Sequence, residues 1–148
     1  MPSSSDLPFD RMSVLLIEDD SFTRSLVRGV LKKFGFAAVF EAADGLAALR
    51  LLQQHSIDLV ISDIRMEPMD GLGFLERLRA GRVEDSPQED DLPATAATVP
   101  VLFLSGQSDV KIVERARAAG IAGFLLKPVR PDKLRERIIA VLSATWKT

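Results

Sequence analysis

The feature that most constrains the fold of this chain is the alternation of short apolar runs with longer stretches of helical period. The short runs predict five strands, over residues 13–17, 37–42, 57–62, 101–104 and 123–126. Strands that alternate with helices in this way are typical of βαβ units on a parallel sheet. With right-handed crossovers, the sequence predicts an α/β fold with a doubly wound, five-stranded parallel sheet in the order 2-1-3-4-5.

The stretches between these strands carry apolar residues at helical spacing. The first predicted helix, over 21–34, would be capped by Asp20 or Ser21 and ended by Gly35. Its predicted inward face consists of Phe22, Leu26, Val27, Val30, Leu31 and Phe34. Four more helices are predicted: up to about residue 54, after Gly71, over 108–119 and from Pro131 onward.

Length and composition fit one globular domain. The chain has 148 residues, of which 47% are hydrophobic and 27% charged, and this is ordinary usage for such a domain. Residues 1–11 are rich in Ser and Pro and predict a flexible lead, followed by one domain over 12–148. Within it, residues 80–99 contain five acids and two prolines. They predict an extended acidic loop between the third helix and the fourth strand.

Charge and residue types exclude several classes of function. The net charge of −2 gives no overall positive field that would attract nucleic acid. The absence of Cys excludes thiolate catalysis and Cys-ligated metals, and a single His excludes a His-cluster site. No apolar run approaches the roughly 18 residues of a membrane span, and no secretion signal begins the chain. We therefore expect a cytoplasmic protein that contacts neither membrane nor nucleic acid directly.

Polar residues follow four of the predicted strands. Glu18 and Asp19 follow the first, Asp63 the third, Ser105 the fourth and Lys127 the fifth. In an open parallel sheet the carboxyl ends of the strands share one edge, and ligands bind there at the point where the strand order reverses. We therefore expect these five side chains to converge.

Three carboxylates at one edge repel one another unless they bind a proton or a cation. Their hard oxygen donors suit Mg²⁺, with Mn²⁺ as an alternative, better than Zn²⁺. Asp63 could then attack phosphorus to give an acyl phosphate, while Lys127 and the hydroxyl of Ser105 stabilise the phosphoryl oxygens. Taken singly, such residues are more often helix caps or turn residues. Their conjunction at one edge favours the functional interpretation.

These residues belong to four motifs: LLIEDD at 15–20, DLVISD at 58–63 with MDG at 69–71, VPVLFLSG at 99–106, and GFLLKP at 123–128. In this order and at this spacing they resemble the receiver domain of two-component response regulators, the CheY-like superfamily. The resemblance covers roughly residues 12–145. It implies a flavodoxin-like (βα)5 fold and a signalling role.

The resemblance also implies a role for each site residue. Asp63 corresponds to the phosphoacceptor. Glu18 and Asp19 would hold Mg²⁺ together with Asp63 and the backbone carbonyl of Arg65. The first acid is Glu18 instead of the commoner Asp, so we expect it to act through water.

Three further residues correspond to the part of the family that stabilises phosphate and transmits the signal. Lys127 would neutralise the phosphoryl group, and the peptide bond between Lys127 and Pro128 is commonly cis in such proteins. Ser105 would be the switch hydroxyl and Phe124 the switch aromatic. Ser105 would move toward the phosphoryl group, and Phe124 would then enter the vacated space.

The implied function is that of a phosphoacceptor, with at most self-catalysed phosphoryl transfer and autodephosphorylation. The donor would be a sensor histidine kinase or a histidine phosphotransfer protein. The output would be binding of a downstream protein target through the face of the fourth predicted helix, the fifth strand and the fifth predicted helix. A homodimer through that face is also compatible with the resemblance.

Two alternatives remain at this point. A pseudo-receiver would bind partners without turning over phosphate, although the complete set of acids, hydroxyl and lysine disfavours it. A Mg²⁺-dependent phosphohydrolase of the haloacid dehalogenase type also uses an Asp nucleophile at a strand end. That family places a second Asp two residues after the nucleophile, where this chain has Arg65.

Overall fold

The computed structural model describes residues 7–66, 69–81, 92–106 and 110–146. Within these residues the chain forms five strands and six α-helices, with a 3₁₀ turn at Phe9–Arg11 before the first strand. The elements, in chain order, are β1 (Ser13–Ile17), α1 (Ser21–Lys33), β2 (Ala38–Ala42), α2 (Gly45–Gln54), β3 (Leu59–Asp63), α3 (Gly71–Ala80), α4 (Ala94–Ala97), β4 (Val101–Ser105), α5 (Val110–Ala118), β5 (Gly123–Leu126) and α6 (Pro131–Trp146).

The sheet confirms the predicted fold class. All strands are parallel and their order is β2-β1-β3-β4-β5. The strand order reverses between β1 and β3, which pair directly, with Ile17 opposite Ser62. The carboxyl ends of these two strands therefore lie side by side, with the end of β4 next to β3.

The central strands β1, β3 and β4 are buried and mostly apolar, because helices cover both faces of the sheet. On one face α2, α3 and α5 pack on strand residues such as Leu15 and Phe103. On the other face α1 and α6 pack on Leu16 and Leu104. Four apolar side chains of α6 are buried there: Leu134, Ile138, Val141 and Leu142. Among the described residues, no helix combines the length and the apolar character that crossing a membrane requires.

Aspartates begin three of the described helices, and glycines at positive φ end three, the third being Gly120 (φ 93°) after α5. Asp20, Asp44 and Asp70 each accept a hydrogen bond at 2.8 Å from the backbone N–H three residues later, which satisfies a free donor of the first helical turn. Gly35 (φ 94°) follows α1, and Gly81 (φ 76°) ends α3 in the left-handed region. The predicted cap at Asp20 and the predicted end at Gly35 are thus confirmed.

The predicted flexible lead differs from the structure over its described part, residues 7–11. Leu7 and Phe9 are buried, and the Phe9 ring stacks on Phe36 with 4.8 Å between ring centroids. The Ser/Pro-rich composition suggested a free lead, but these two apolar side chains reach the core beside α1. Residues 1–6 lie outside the described residues.

The predicted inward face of α1 is too wide. Val27 and Leu31 are buried, but Phe22 is 71% exposed and Leu26 is 57% exposed. At 3.6 residues per turn, Phe22 points about 140° away from Val27 around the helix axis, so the sheet cannot cover both. Phe22 and Leu26 instead form an exposed apolar pair.

The predicted acidic loop over 80–99 is also partly wrong. Ala80 still belongs to α3, and Ala94–Ala97 form the short helix α4. The predicted fourth and fifth helices are therefore α5 and α6 of the structure. Residues 82–91 lie outside the described residues, but their flanks meet, because Leu92 N–H donates to Gly81 O at 2.7 Å.

Candidate functional site

The carboxyl edge of the sheet brings the predicted acids together. One carboxylate oxygen each from Glu18, Asp19 and Asp63 lies within 4.8 Å of the other two. Lys127, directly after β5, places its Nζ 3.1 Å from Asp63 Oδ2. This convergence follows from the strand order, which sets the ends of β1 and β3 side by side.

Glu18 is a buried acid, and only one of its two carboxylate oxygens accepts a hydrogen bond from the described residues. Its side chain is 3% exposed; Oε1 accepts from Asp20 N–H at 3.2 Å, and Oε2 has no hydrogen-bond partner among the described residues. Burial, and next the negative charge of Asp63, raise the pKa of Glu18 to about 7. Arg24 donates to the backbone carbonyl of Glu18 at 2.7 Å and pairs with Glu41, and so fixes the end of β1.

The acidic cluster fits a small divalent cation. Its donors are all carboxylate oxygens, the type that Mg²⁺ and Mn²⁺ prefer. The buried, unpartnered Oε2 of Glu18 has an uncompensated desolvation cost, which a cation beside it would offset. Asp19 is exposed while Glu18 and Asp63 are buried, so the cluster is open to solvent on one side. Such an opening leaves room for water and for a phosphoryl group.

Asp63 ends β3 and is itself buried, with 6% exposure. Its Oδ2 faces Lys127, and its Oδ1 lies 3.4 Å from the backbone N–H of Arg65. Arg65 is exposed beside the cluster, and the role of its carbonyl as a metal ligand remains a prediction. The carboxylate of Asp63 is therefore held between a cation and a backbone dipole.

Gly71, the first residue of α3, lies directly against the peptide that follows Asp63. Its N–H donates to Ile64 O at 2.9 Å. A Cβ at Gly71 would lie 2.9 Å from Asp63 O and 2.9 Å from Ile64 Cα. Only glycine fits this approach without a backbone shift. The sequence marks Asp70-Gly71 as a turn, but it carries no signal for the contact with the peptide between Asp63 and Ile64.

Ser105 and Lys127 come together through their backbones at the ends of β4 and β5. Lys127 N–H donates to Ser105 O at 2.8 Å, and the Lys127-Pro128 peptide bond is cis, as predicted. Ser105 is fully buried, and its Oγ has no hydrogen-bond partner among the described residues. A buried hydroxyl that donates to no acceptor lowers the stability of the fold, and it is available to donate a hydrogen bond to a new acceptor.

Phe124 lies on β5 opposite Phe103 of β4, and its ring is half-buried. The guanidinium of Arg117, on α5, lies over this ring at 5.0 Å from the centroid. A cavity of about 230 Å³ borders both this ring and Ser105; it is lined by Ser105, Gly106, Val113, Glu114, Arg117, Phe124 and Leu126. The contact with Arg117 is not foreseeable from the sequence, because helix periodicity does not say which ring a surface arginine will cover.

The chain is similar to known proteins along most of its length. A family model described as the response regulator receiver domain matches residues 14–139. The chain is 30% identical over 127 residues to chemotaxis protein CheY-3 of Vibrio cholerae serotype O1, covering 86% of this chain and 88% of that protein.

Two further similarities agree with these. The probable chemotaxis protein CheY of Rhizobium etli is 30% identical over 135 residues, covering 91% of this chain and 95% of that protein. The crystal structure of the chemotaxis response regulator CheY4 of Vibrio cholerae superimposes with a TM-score of 0.74 at 28% identity, covering 89% of this chain and 99% of that one.

Proposed function

The chain belongs to the family of response regulator receiver domains, which serve phosphorelay signalling, and on that premise we propose that Asp63 accepts the phosphoryl group. The observation that carries the proposal is the position of Lys127 Nζ, 3.1 Å from Asp63 Oδ2 at the edge where three carboxylates converge. A strand-end aspartate held between a cation and other acids suits nucleophilic attack on phosphorus.

In the proposed reaction, a carboxylate oxygen of Asp63 attacks the phosphorus of a phosphohistidine. The new O–P bond forms as the P–N bond to the donor imidazole breaks, and the imidazole leaves with the electron pair. Lys127 neutralises part of the charge on the phosphoryl oxygens. Glu18, Asp19, Asp63 and the carbonyl of Arg65 would hold Mg²⁺, or Mn²⁺, which supplies further charge neutralisation when bound.

The phosphoryl group adds about −1.5 to −2 charges at neutral pH, together with three acceptor oxygens. The buried hydroxyl of Ser105, which has no other acceptor among the described residues, would donate to one of them. Its movement would open the cavity further toward the Phe124 ring. The ring would then turn inward and change the face formed by α5, β5 and α6.

The proposed partners follow from this chemistry. The donor is a sensor histidine kinase or a histidine phosphotransfer protein, and the changed face binds a downstream protein or a second copy of the chain. Without a phosphoryl group, the same face would keep its resting arrangement, with the Phe124 ring in its outward orientation. A cytoplasmic location, where such donors present their phosphohistidines, is part of the proposal.

The proposal is tested by incubating the protein with acetyl phosphate and Mg²⁺ and locating the phosphoryl group that it takes up. One hydroxylamine-labile phosphoryl group is expected on Asp63, and Asp63→Asn should abolish it because an amide cannot form the acyl phosphate. Asp58→Asn is the matched control: Asp58 accepts from Ser13 N–H, 45 residues away in the sequence, and lies outside the acidic cluster. It should be labelled like the wild type.

Other outcomes would overturn the proposal. Equal labelling of Asp63→Asn would move the acceptor elsewhere. No labelling of the wild type by acetyl phosphate or by any phosphohistidine donor would favour a pseudo-receiver. Multiple turnover of free phosphate monoesters would favour the phosphohydrolase.

A further inference from the structure

Arg117 of α5 contacts the ring of Phe124 on β5. The guanidinium lies 5.0 Å from the ring centroid, a cation–π contact, and Arg117 is otherwise exposed on α5. Such a contact at an exposed site shifts the equilibrium between the bound and the released orientation of the ring by about two- to five-fold. It stabilises the orientation in which the ring lies beneath the arginine.

The cavity beside the ring offers a second orientation. Its volume of about 230 Å³ exceeds the roughly 150 Å³ that accommodates a benzene molecule in a protein interior. Val113 and Leu126 give it apolar walls, and the buried Ser105 also lines it. A phenyl ring that turned inward could fill this space, and Arg117 would then have no ring to cover.

The segment that forms α5, β5 and α6 is rich in basic residues, in a chain that is acidic as a whole; Glu114, three residues before Arg117, is an acid that lines the same cavity. Residues 110–146 carry eight Lys and Arg but three Asp and Glu, while the net charge of the whole chain is −2. Arg117 flanks β5 on one side, and Arg137 of α6 lies on the other, where its Cδ would be 3.7 Å from a Cβ at Gly123. The exposed Leu126 lies at the end of the same strand. This face complements an acidic segment that carries an apolar side chain.

We propose that Arg117 is a phosphorylation-gated contact for an acidic partner segment that binds the face of α5, β5 and α6. In the resting state its guanidinium covers Phe124. When the ring turns into the cavity, the guanidinium is released to pair with a partner carboxylate, and Leu126 contacts the partner's apolar side chain. The inference rests on the proposed function, because phosphorylation of Asp63 is what moves the ring.

The probe is a labelled synthetic peptide rich in glutamate with one central leucine, and its control is the same peptide with glutamine at every glutamate. Binding is measured by fluorescence anisotropy on the full chain, with Mg²⁺ alone and with Mg²⁺ plus beryllofluoride as the phosphoryl mimic. Fluorine NMR reports separately whether beryllofluoride occupies Asp63. The variants are Arg117→Gln and, as the matched control, Arg115→Gln, which is also an exposed arginine of α5.

Beryllofluoride should raise the affinity of the wild type for the acidic peptide by about two- to five-fold, the amount by which the cation–π contact opposes release. Arg115→Gln should keep this gain and Arg117→Gln should lose it. Arg117→Gln should also bind beryllofluoride more tightly, because nothing then holds the ring in its resting orientation.

The two proposals fail in different ways. Suppose that beryllofluoride occupies Asp63, but Arg117→Gln keeps the full increase in affinity or the glutamine peptide binds equally well. The proposed gated contact is then wrong, while the proposal that Asp63 is the phosphoacceptor is unaffected. If the wild type does not bind beryllofluoride at all, the phosphoacceptor proposal is wrong, and the gating falls with it.

Discussion

Gly71 joins the start of α3 to the peptide bond that follows Asp63, the proposed phosphoacceptor. Because a Cβ there would lie 2.9 Å from two backbone atoms, Gly71→Ala must displace either the helix or the Asp63–Ile64 segment. We expect a loss of about 1–3 kcal/mol in unfolding free energy. We also expect roughly 10- to 100-fold slower labelling by acetyl phosphate, since the nucleophile moves with its backbone.

Gly73→Ala is the matched control. It lies in the same helical turn, but its Cβ would be 3.4 Å from side-chain atoms of Asp70 and Met69, so small side-chain movements suffice. Its stability and labelling rate should stay close to those of the wild type. If both variants were labelled at the wild-type rate, the contact at Gly71 would have no part in positioning Asp63.

Glu18 makes the stability of the metal-free protein depend on pH. Its folded-state pKa of about 7 lies above the ordinary value of 4.5. The stabilising contribution of its proton is therefore fully present below pH 4.5 and is lost as the pH rises through 7. In EDTA, the unfolding free energy should fall over this interval by on the order of 1–3 kcal/mol, as measured by urea denaturation.

Glu18→Gln tests the origin of that fall. The amide is isosteric and does not titrate, so the decrease between pH 4.5 and 7 should shrink in the variant. Mg²⁺ should oppose the decrease in the wild type, since a cation stabilises the ionised carboxylate. An identical pH profile for variant and wild type would show that another group titrates.

At the scale of elements, Arg79 connects three parts of the chain. From the last turn of α3 it donates to Ala97 O (3.1 Å), Val99 O (2.8 Å) and Gly120 O (2.9 Å). These hydrogen bonds fix α4, the start of β4 and the turn before β5 relative to α3. Burial lowers the pKa of the Arg79 guanidinium.

Arg79→Gln should cost about 2–4 kcal/mol of unfolding free energy, because the shorter glutamine amide has only two N–H donors for three backbone acceptors. Arg79→Lys should lie in between, since it keeps the charge without the planar fork. Arg130→Gln is the control: its contact with Asp132, at 3.4 Å, is exposed and contributes little. Chemical denaturation measures all three, and equal losses for Arg79→Gln and Arg130→Gln would contradict the bridging role.

The elements also show where sequence patterns suffice. The strands were predictable because runs such as 101–104 are apolar on both faces, and parallel strands need burial on both faces. The inward face of α1 was predicted too wide, because apolar spacing alone does not fix how much of a helix the sheet covers. The four-residue helix α4 is too short to have a period.

At the scale of the whole molecule, the convergence of the three acids and Lys127 at one edge of the sheet was predictable for a topological reason. Once the strand order was inferred, the residues at the carboxyl ends of β1, β3, β4 and β5 had to share one edge. The contacts of Gly71, Arg79 and Arg117 were not predictable in the same way. Each joins surfaces that only tertiary packing brings together, such as Arg79 and Gly120, which are 41 residues apart.

The hydrogen bond from Leu92 N–H to Gly81 O, at 2.7 Å, has a consequence for how this chain can be changed. Both flanks of residues 82–91 are anchored, with Leu92 buried and Gly81 ending α3. Loop-closure entropy grows only slowly with length, so the number of residues between two anchored flanks has little influence on the rest of the fold. An epitope tag or fluorescent reporter could therefore be spliced in between Gly81 and Leu92, away from the edge that carries Asp63.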